Sequence, residues 1–233
     1  MNSQEQSKQP IAVLIGGGGR LRAIAEYCQR PQTAARIALV VSHKRRSPGL
    51  EWALQNGLPA VYWNLPHWRK QGGTREEFDE ALARFLTGPN YSPELVVLAG
   101  WDLVLSERFL RYFAWQGSYR VLNLHPALLP DGPGDTYRCA DGTVIPAFRG
   151  EDTIEAALKA GVPRTGCTVH FSTTRFDEGP VVLRSEVPVL AGDTAESLAD
   201  RIHAEEERLL PQAIELFLRG KVRVEGGLVA GAG

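Results

Sequence analysis

Asn123 and His125 stand two residues apart in Val121-Leu122-Asn123-Leu124-His125-Pro126. On an extended strand that spacing turns both side chains to one face. Pro126 biases His125 toward extended backbone and ends the hydrogen-bond ladder, which fixes where the imidazole points. An amide donor beside an imidazolium suits an oxyanion developing from a carbonyl, and the ring can also carry the proton released by an attacking amine. This is acyl-transfer equipment without a nucleophile of its own. Asp177, in Phe176-Asp177-Glu178-Gly179-Pro180, lies in a turn able to return a carboxylate to the same cleft. Beside His125 it is expected to raise the imidazole pKa above roughly 6.5 and keep the ring charged near pH 7. The same spacing also fits an Asn and a His that only satisfy loop hydrogen bonds.

A second cluster is Gly16-Gly17-Gly18-Gly19-Arg20, between an apolar run and a helical pattern. Backbone N–H groups, the helix dipole and the Arg20 cation could together face a phosphate. A tight turn with glycines for close packing is the other reading. Leu21 or Arg22 stands where a dinucleotide fingerprint needs its third glycine. The second strand ends in Ser42-His43-Lys44-Arg45-Arg46 and not in an acid for a ribose diol, so NAD is disfavoured. No GxSxG elbow, HExxH helix or Walker lysine loop occurs. His203-Ala204-Glu205 mimics the HxE of zinc deaminases without their PCxxC, and no metal site is expected. His43, His67 and His170 read as structural or exposed.

These groups need a scaffold that brings strand ends together. Apolar runs at Ile11–Ile15, Ile37–Val41, Ala60–Trp63, Leu95–Ala99 and Val121–Leu124 read as strands buried on both faces. Helical patterns fall at Arg20–Gln29, Gly49–Asn56, Arg75–Leu86, Glu107–Trp115, Asp152–Ala160 and Ala195–Arg219. In the last of these Leu198, Ile202, Leu209, Ala213 and Leu216 share a face, while Pro211 kinks it or begins a new helix. The alternation predicts an α/β fold: an open, mostly parallel Rossmann-like sheet with helices on both faces. Cys167–Ser172 and Val181–Pro188 are expected to add antiparallel pairing near the C-terminal part. Residues 1–9 and 223–233 read as loose ends around a single domain, 10–222. Within it, 131–146 is expected to form an inserted β-hairpin turning at Asp141-Gly142, a dipeptide suited to a type I′ turn. His125 then sits at the carboxyl end of the fifth strand, where open α/β sheets bind ligands.

The glycine loop, Val97-Leu98-Ala99-Gly100, Leu122-Asn123-Leu124-His125-Pro126-Ala127-Leu128-Leu129-Pro130, Gly166-Cys167-Thr168-Val169-His170-Phe171 and Asp177-Glu178-Gly179-Pro180 together resemble phosphoribosylglycinamide formyltransferases, a folate-dependent family of purine synthesis. The resemblance runs from about Ile11 to Val222. It implies transfer of a formyl group from 10-formyltetrahydrofolate, as cosubstrate, to the amine of 5'-phosphoribosylglycinamide, with Asn123, His125 and Asp177 as catalytic residues. It places the folate near Arg75, along Asp102, Leu103, Val104 and Leu105, at Asn123, and along Thr173, Thr174, Arg175, Phe176 and Asp177. It places the acceptor on Gly18, Gly19 and Arg20, with His203 and Glu206 against its other polar groups.

The chain departs from the family pattern at several points. Gly19-Arg20 replaces Ser-Asn, Trp101-Asp102-Leu103 replaces a Phe-Met-Arg that supplies a cation, His203 replaces Gln, and the 131–146 insertion has no counterpart. The same chemistry on another amine, such as a sugar nucleotide or methionyl-tRNA, is the alternative. The tRNA enzymes carry a C-terminal barrel for which 219–233 is too short, and formate-releasing hydrolases carry an extra N-terminal domain. A non-catalytic phosphate-ligand binder is the reading from a different class.

Composition agrees with a globular small-molecule enzyme. The 233 residues carry 26 Lys+Arg and 27 Asp+Glu, a net charge of −1, which argues against nonspecific nucleic-acid binding. With 43% apolar and 23% charged residues the chain can bury a sizeable core, and collagen-like or disordered classes are excluded. Cys28, Cys139 and Cys167 are spaced too widely for a CxxC pair. No apolar run approaches the roughly 18 residues of a membrane helix. A cytoplasmic monomer or homodimer, with no membrane partner, is expected.

Overall fold

The computed structural model describes residues 8–113, 119–225 and 227–230. Five strands run parallel: β1 (Gln9–Ile15), β2 (Ala35–Ser42), β3 (Ala60–Tyr62), β4 (Leu95–Leu98) and β5 (Val121–His125). A small hairpin, β6 (Thr136–Arg138) with β7 (Val144–Pro146), interrupts the progression. Then β8 (Arg164–Phe171) pairs antiparallel to β5, and β9 (Val181–Pro188) antiparallel to β8. The central sheet has the order β3-β2-β1-β4-β5-β8-β9. The chain reverses its direction of winding between β1 and β4, and their carboxyl ends form the switch-point crevice of an open α/β sheet. The Gly16 N–H donates to Gly100 O across that crevice at 2.8 Å.

Helices cover both faces, as the continuous apolar strands require. Ile11, Val13 and Ile15 of β1 pack in one core with α1 (Leu21–Gln29), α2 (Pro48–Gln55) and the long C-terminal helix. Ala12 and Leu14 pack in a second core with α4 (Arg75–Leu86) and α5 (Glu107–Leu110). Between α2 and α4 lies α3 (Leu65–Lys70), which the apolar periodicity does not announce. It is a short helix capped by the Asn64 side chain on the His67 N–H and opened by Pro66. α6 (Thr153–Ala160) follows the hairpin, and α7 (Ala195–Leu218) closes the domain.

α7 begins with a capping box between Thr194 and Ser197 and runs unbroken through Pro211. Pro211 offers no N–H to the Glu207 carbonyl. Burial of Leu209, Leu210, Ala213 and Ile214 on either side holds the helix together across that gap.

Four expectations are revised. Gln9 belongs to β1, opposite Ala35, so the N-terminal loose end stops short of it. Arg223–Glu225 (β10) and Leu228–Ala230 (β11) pair antiparallel where a loose end was expected. The helix expected over Glu107–Trp115 is α-helical only through Leu110, and its last two residues fall in 114–118, outside the described residues. In the inserted hairpin, the Gly142 N–H donates to Cys139 O and the Cys139 N–H to Thr143 O, with φ of +88° at Gly142 and no positive φ at Asp141. That is a three-residue loop ending in a left-handed glycine, not a type I′ turn.

Candidate active site

β5 delivers Asn123 and His125 to its carboxyl end, and the antiparallel register of β8 sets His170 directly opposite Asn123. The turn after β8 brings Asp177 back over them. Its carboxylate lies 3.4 Å from His125 Nδ1 through Oδ2 and 3.5 Å from His170 Nε2 through Oδ1. All three are buried, at 4%, 7% and 2% exposure for His125, Asp177 and His170. Asp177 sits at φ +51°, a left-handed conformation that costs about 1–3 kcal/mol for a non-glycine residue unless its surroundings fix it.

Two residues on, Gly179 passes so near Phe171 that an added Cβ would lie 1.7 Å from the Phe171 carbonyl oxygen. Gly179→Ala therefore displaces the acidic turn. It is expected to destabilise the fold by about 1–3 kcal/mol, read as a lowered midpoint in urea denaturation.

Backbone carbonyls dictate how the rings carry their protons, because a carbonyl only accepts. His125 Nε2 donates to Phe148 O at 2.8 Å, so Nδ1 is the basic nitrogen that faces Asp177. His170 Nδ1 donates to Phe171 O at 3.0 Å, which leaves Nε2 to accept from the Asn123 amide nitrogen at 3.1 Å. His170 thereby orients the Asn123 amide. Its position opposite Asn123 is a matter of strand register that sequence spacing does not reveal, and it is neither an exposed residue nor a distant structural one.

The electrostatics reverse one expectation. Burial pushes the His125 pKa below its ordinary value and outweighs the raising effects of Asp177 and the Phe148 carbonyl, with His170 and Arg149 adding to the fall. The ring therefore favours its neutral form near pH 7. For Asp177, burial pushes upward, but the adjoining His170 and His125 rings and the Gly150 N–H prevail and hold the carboxyl below its usual range. The acid is ionised and the base uncharged.

A cleft of about 310 Å³ opens above this cluster, walled by the 101–105 segment on one side and the 172–177 turn on the other. It takes in Asp102, Leu103, Val104, Leu105, Asn123, Thr173, Arg175, Phe176 and Asp177. Val104 and Phe176 stay exposed beside it, apolar surface suited to a flat ring system. Thr174 and Arg75 do not line it. Arg75 lies behind the wall, bound to Asp79 Oδ1 at 2.9 Å and to Val104 O at 2.8 Å, and so holds the 101–105 segment in place. Asp102 pairs with His43 and Lys44 at 2.5 and 2.6 Å. The end of β2 thus returns a cation to the cleft edge where the family pattern would have carried one on the 101–105 segment.

A second pocket, of about 270 Å³, collects Gly18, Gly19, Arg20, His203 and Glu206 and shares Gly100, Leu124 and Pro126 with the first. The glycines divide into two kinds. A Cβ on Gly16 would lie 2.6 Å from Gly100 O, and one on Gly18, at φ +90°, would lie 2.5 Å from the Gly49 Cα, so these two serve close packing. Gly17 and Gly19 have open space where a side chain would stand. The close-packing reading holds at Gly16 and Gly18. Arg20 and Glu206, expected to meet a ligand separately, form a largely buried ion pair with each other. Burial nonetheless raises the Glu206 pKa, and burial with the Arg20 charge lowers that of His203.

Two pockets adjoin at Gly100, Leu124 and Pro126 on an open α/β sheet, with Asn123 and His125 lining the first, an arrangement able to hold two molecules side by side for transfer of a group. Comparison with known proteins supplies the group: residues 9–138 and 141–214 match the formyl transferase family model. The chain belongs to that family. It is 33% identical to phosphoribosylglycinamide formyltransferase of Escherichia coli (strain K12), covering 92% of this chain and 89% of that protein. It is 38% identical to the trifunctional purine biosynthetic protein adenosine-3 of Gallus gallus over 94% of this chain, and spans only 19% of that relative's length. Among solved structures, glycinamide ribonucleotide transformylase 1 from Symbiobacterium toebii superposes with a TM-score of 0.84 at 37% identity, covering 100% of this chain and 99% of the other. Among the described residues no helix is long and apolar enough to cross a membrane, and no group of three or more His, Cys, Asp or Glu is gathered to hold a metal ion.

Proposed function

We propose that this chain transfers the formyl group of 10-formyltetrahydrofolate to the amine of 5'-phosphoribosylglycinamide. The observation that carries the reading is the meeting of the two pockets at Gly100, Leu124 and Pro126, with His125 and Asn123 lining the first beside that junction. The folate belongs in the cleft between the 101–105 segment and the 172–177 turn. The phosphoribosyl group belongs on the glycine loop, with Arg20 moving from Glu206 toward the phosphate and Glu206 and His203 taking the sugar hydroxyls.

The amine nitrogen attacks the formyl carbon, the new C–N bond forms, and the carbonyl oxygen becomes an oxyanion. Asn123 donates one amide N–H to that oxyanion while its other N–H is held by His170. His125 enters neutral and accepts at Nδ1 the proton the amine releases. The imidazolium so formed lies between Asp177 and the oxyanion and stabilises the tetrahedral intermediate. Returning that proton, through water, to the folate nitrogen lets the old C–N bond break and restores the neutral ring. Arg75 acts behind the cleft wall. The chain works as one domain over 10–222 with the 131–146 hairpin inserted. Three free cysteines suit the reducing cytoplasm, with the chain as a monomer or homodimer.

The test is a spectrophotometric transfer assay with 10-formyltetrahydrofolate, or a folate analogue, against a panel of amines. Turnover with phosphoribosylglycinamide at least about 100-fold above that with an amino-sugar nucleotide is expected. Equal use of both, or release of formate without an acceptor, sinks the reading.

A further inference from the structure

The 131–146 hairpin lines neither pocket, yet it leads without a break into Phe148-Arg149-Gly150, and each of these three residues touches the buried pair. Phe148 O accepts from His125 Nε2, the Gly150 N–H donates to Asp177 Oδ2 at 3.4 Å, and Arg149 Nε donates to Asp177 O at 3.4 Å. Arg149 is a fork with its other end on the hairpin. Its Nη2 donates to Gly134 O at 2.6 Å, and Nη1 lies 3.7 Å from Asp135.

The hairpin is itself anchored to the sheet. Glu186 on β9 accepts from the Tyr137 hydroxyl at 3.2 Å and from the Ala140 N–H at 2.8 Å. Arg184 binds Asp131 at 2.6 Å and lies over the Tyr137 ring. Arg164 pairs with Asp141 at 2.8 Å, and Cys139 and Ile145 pack under the hairpin against Leu128, Ala157 and Val162. The insertion is therefore a fixed body, and Arg149 spans from it to the backbone of Asp177, whose left-handed φ needs an external hold.

We propose that Arg149 is a positioning residue for the formyl transfer, coupling the inserted hairpin to the Asp177 turn so that the carboxylate stays on His125. The inference rests on the transferase reading above. A guanidinium suits the task because its donors lie in one rigid plane and reach two carbonyls at once, which a single lysine ammonium on a flexible stem does poorly.

The experiment uses the full chain and compares wild type, Arg149→Ala, Arg149→Lys, Glu186→Ala and the Arg149→Ala/Glu186→Ala double variant. Arg149→Ala should lower kcat by about 10- to 100-fold with KM for donor and acceptor within about threefold, the signature of a lost transition-state arrangement and not of lost binding. Arg149→Lys, which keeps the charge and the bulk and guards against misfolding of the alanine variant, should recover less than half of the lost rate. Glu186→Ala, which removes the hold of β9 on Tyr137 and Ala140 and so loosens the hairpin, should lower kcat by about threefold or more when Arg149 is present and leave it unchanged when Arg149 is absent. Wild-type kcat in Arg149→Ala, full recovery by lysine, or independent multiplication of the Arg149 and Glu186 effects overturns the proposal while leaving the transferase reading intact. An inactive wild-type chain overturns both.

Discussion

His125→Ala is expected to lower kcat for formyl transfer by about 10³- to 10⁴-fold while the dissociation constants of donor and acceptor change by less than about tenfold. In the proposed transfer the ring contributes twice, as the acceptor of the amine proton and as the cation that then faces the oxyanion, and no neighbour can take over both tasks. Asp177 is already ionised and offers no proton to donate, while His170 has Nδ1 committed to Phe171 O and Nε2 to Asn123. Removing the buried ring also leaves the Phe148 carbonyl without its donor, a cost of about 1–3 kcal/mol in stability. Equilibrium binding of a folate analogue separates this from catalysis: a variant that binds normally and does not turn over has lost chemistry alone. A variant that retains more than a tenth of the wild-type rate would remove His125 from the mechanism.

Asp177→Asn is expected to cost about 10²- to 10³-fold in kcat and to move the pH profile in a defined direction. In the wild-type chain the ring must be uncharged to receive the amine proton. Because burial sets its pKa below about 6.5, kcat/KM should rise with pH below that value and lie flat at neutrality. The carboxylate is the largest influence that opposes burial, so an amide in its place lets burial act with less resistance and the ring titrates lower still. The acid limb of the variant should move to lower pH, and the plateau should fall because the imidazolium formed in the reaction has lost its counter-charge. A limb that moves to higher pH, or a wild-type rate that declines as pH rises through the imidazole range, would mean that the ring enters the reaction charged.

Much of the scaffold was legible because its signals are local. The apolar runs of β1, β2, β4 and β5 each bury both faces, and the pattern of α7 follows its buried side from Leu198 to Ala213. Asn123 and His125 could be placed together because strand period alone puts them on one face. What escaped depends on partners distant in sequence or on backbone atoms. His170 meets Asn123 through the β5–β8 register, Arg20 finds Glu206 across 186 positions, and the group that fixes the His125 tautomer is a carbonyl, which no side-chain pattern records. The direction of the His125 shift is hidden from the sequence for a related reason. A neighbouring acid can be guessed from sequence, but the depth of burial that overrides it emerges only once the surrounding elements pack.

The alternation within the glycine loop bears on how freely the second pocket can change. Positions 16 and 18 are locked by backbone neighbours, whereas positions 17 and 19 look onto empty volume. Under the proposed function, a mutational library confined to 17 and 19 would sample new acceptor shapes with little penalty to folding, so drift toward other amines has two open doors on this loop, and both stand beside Arg20.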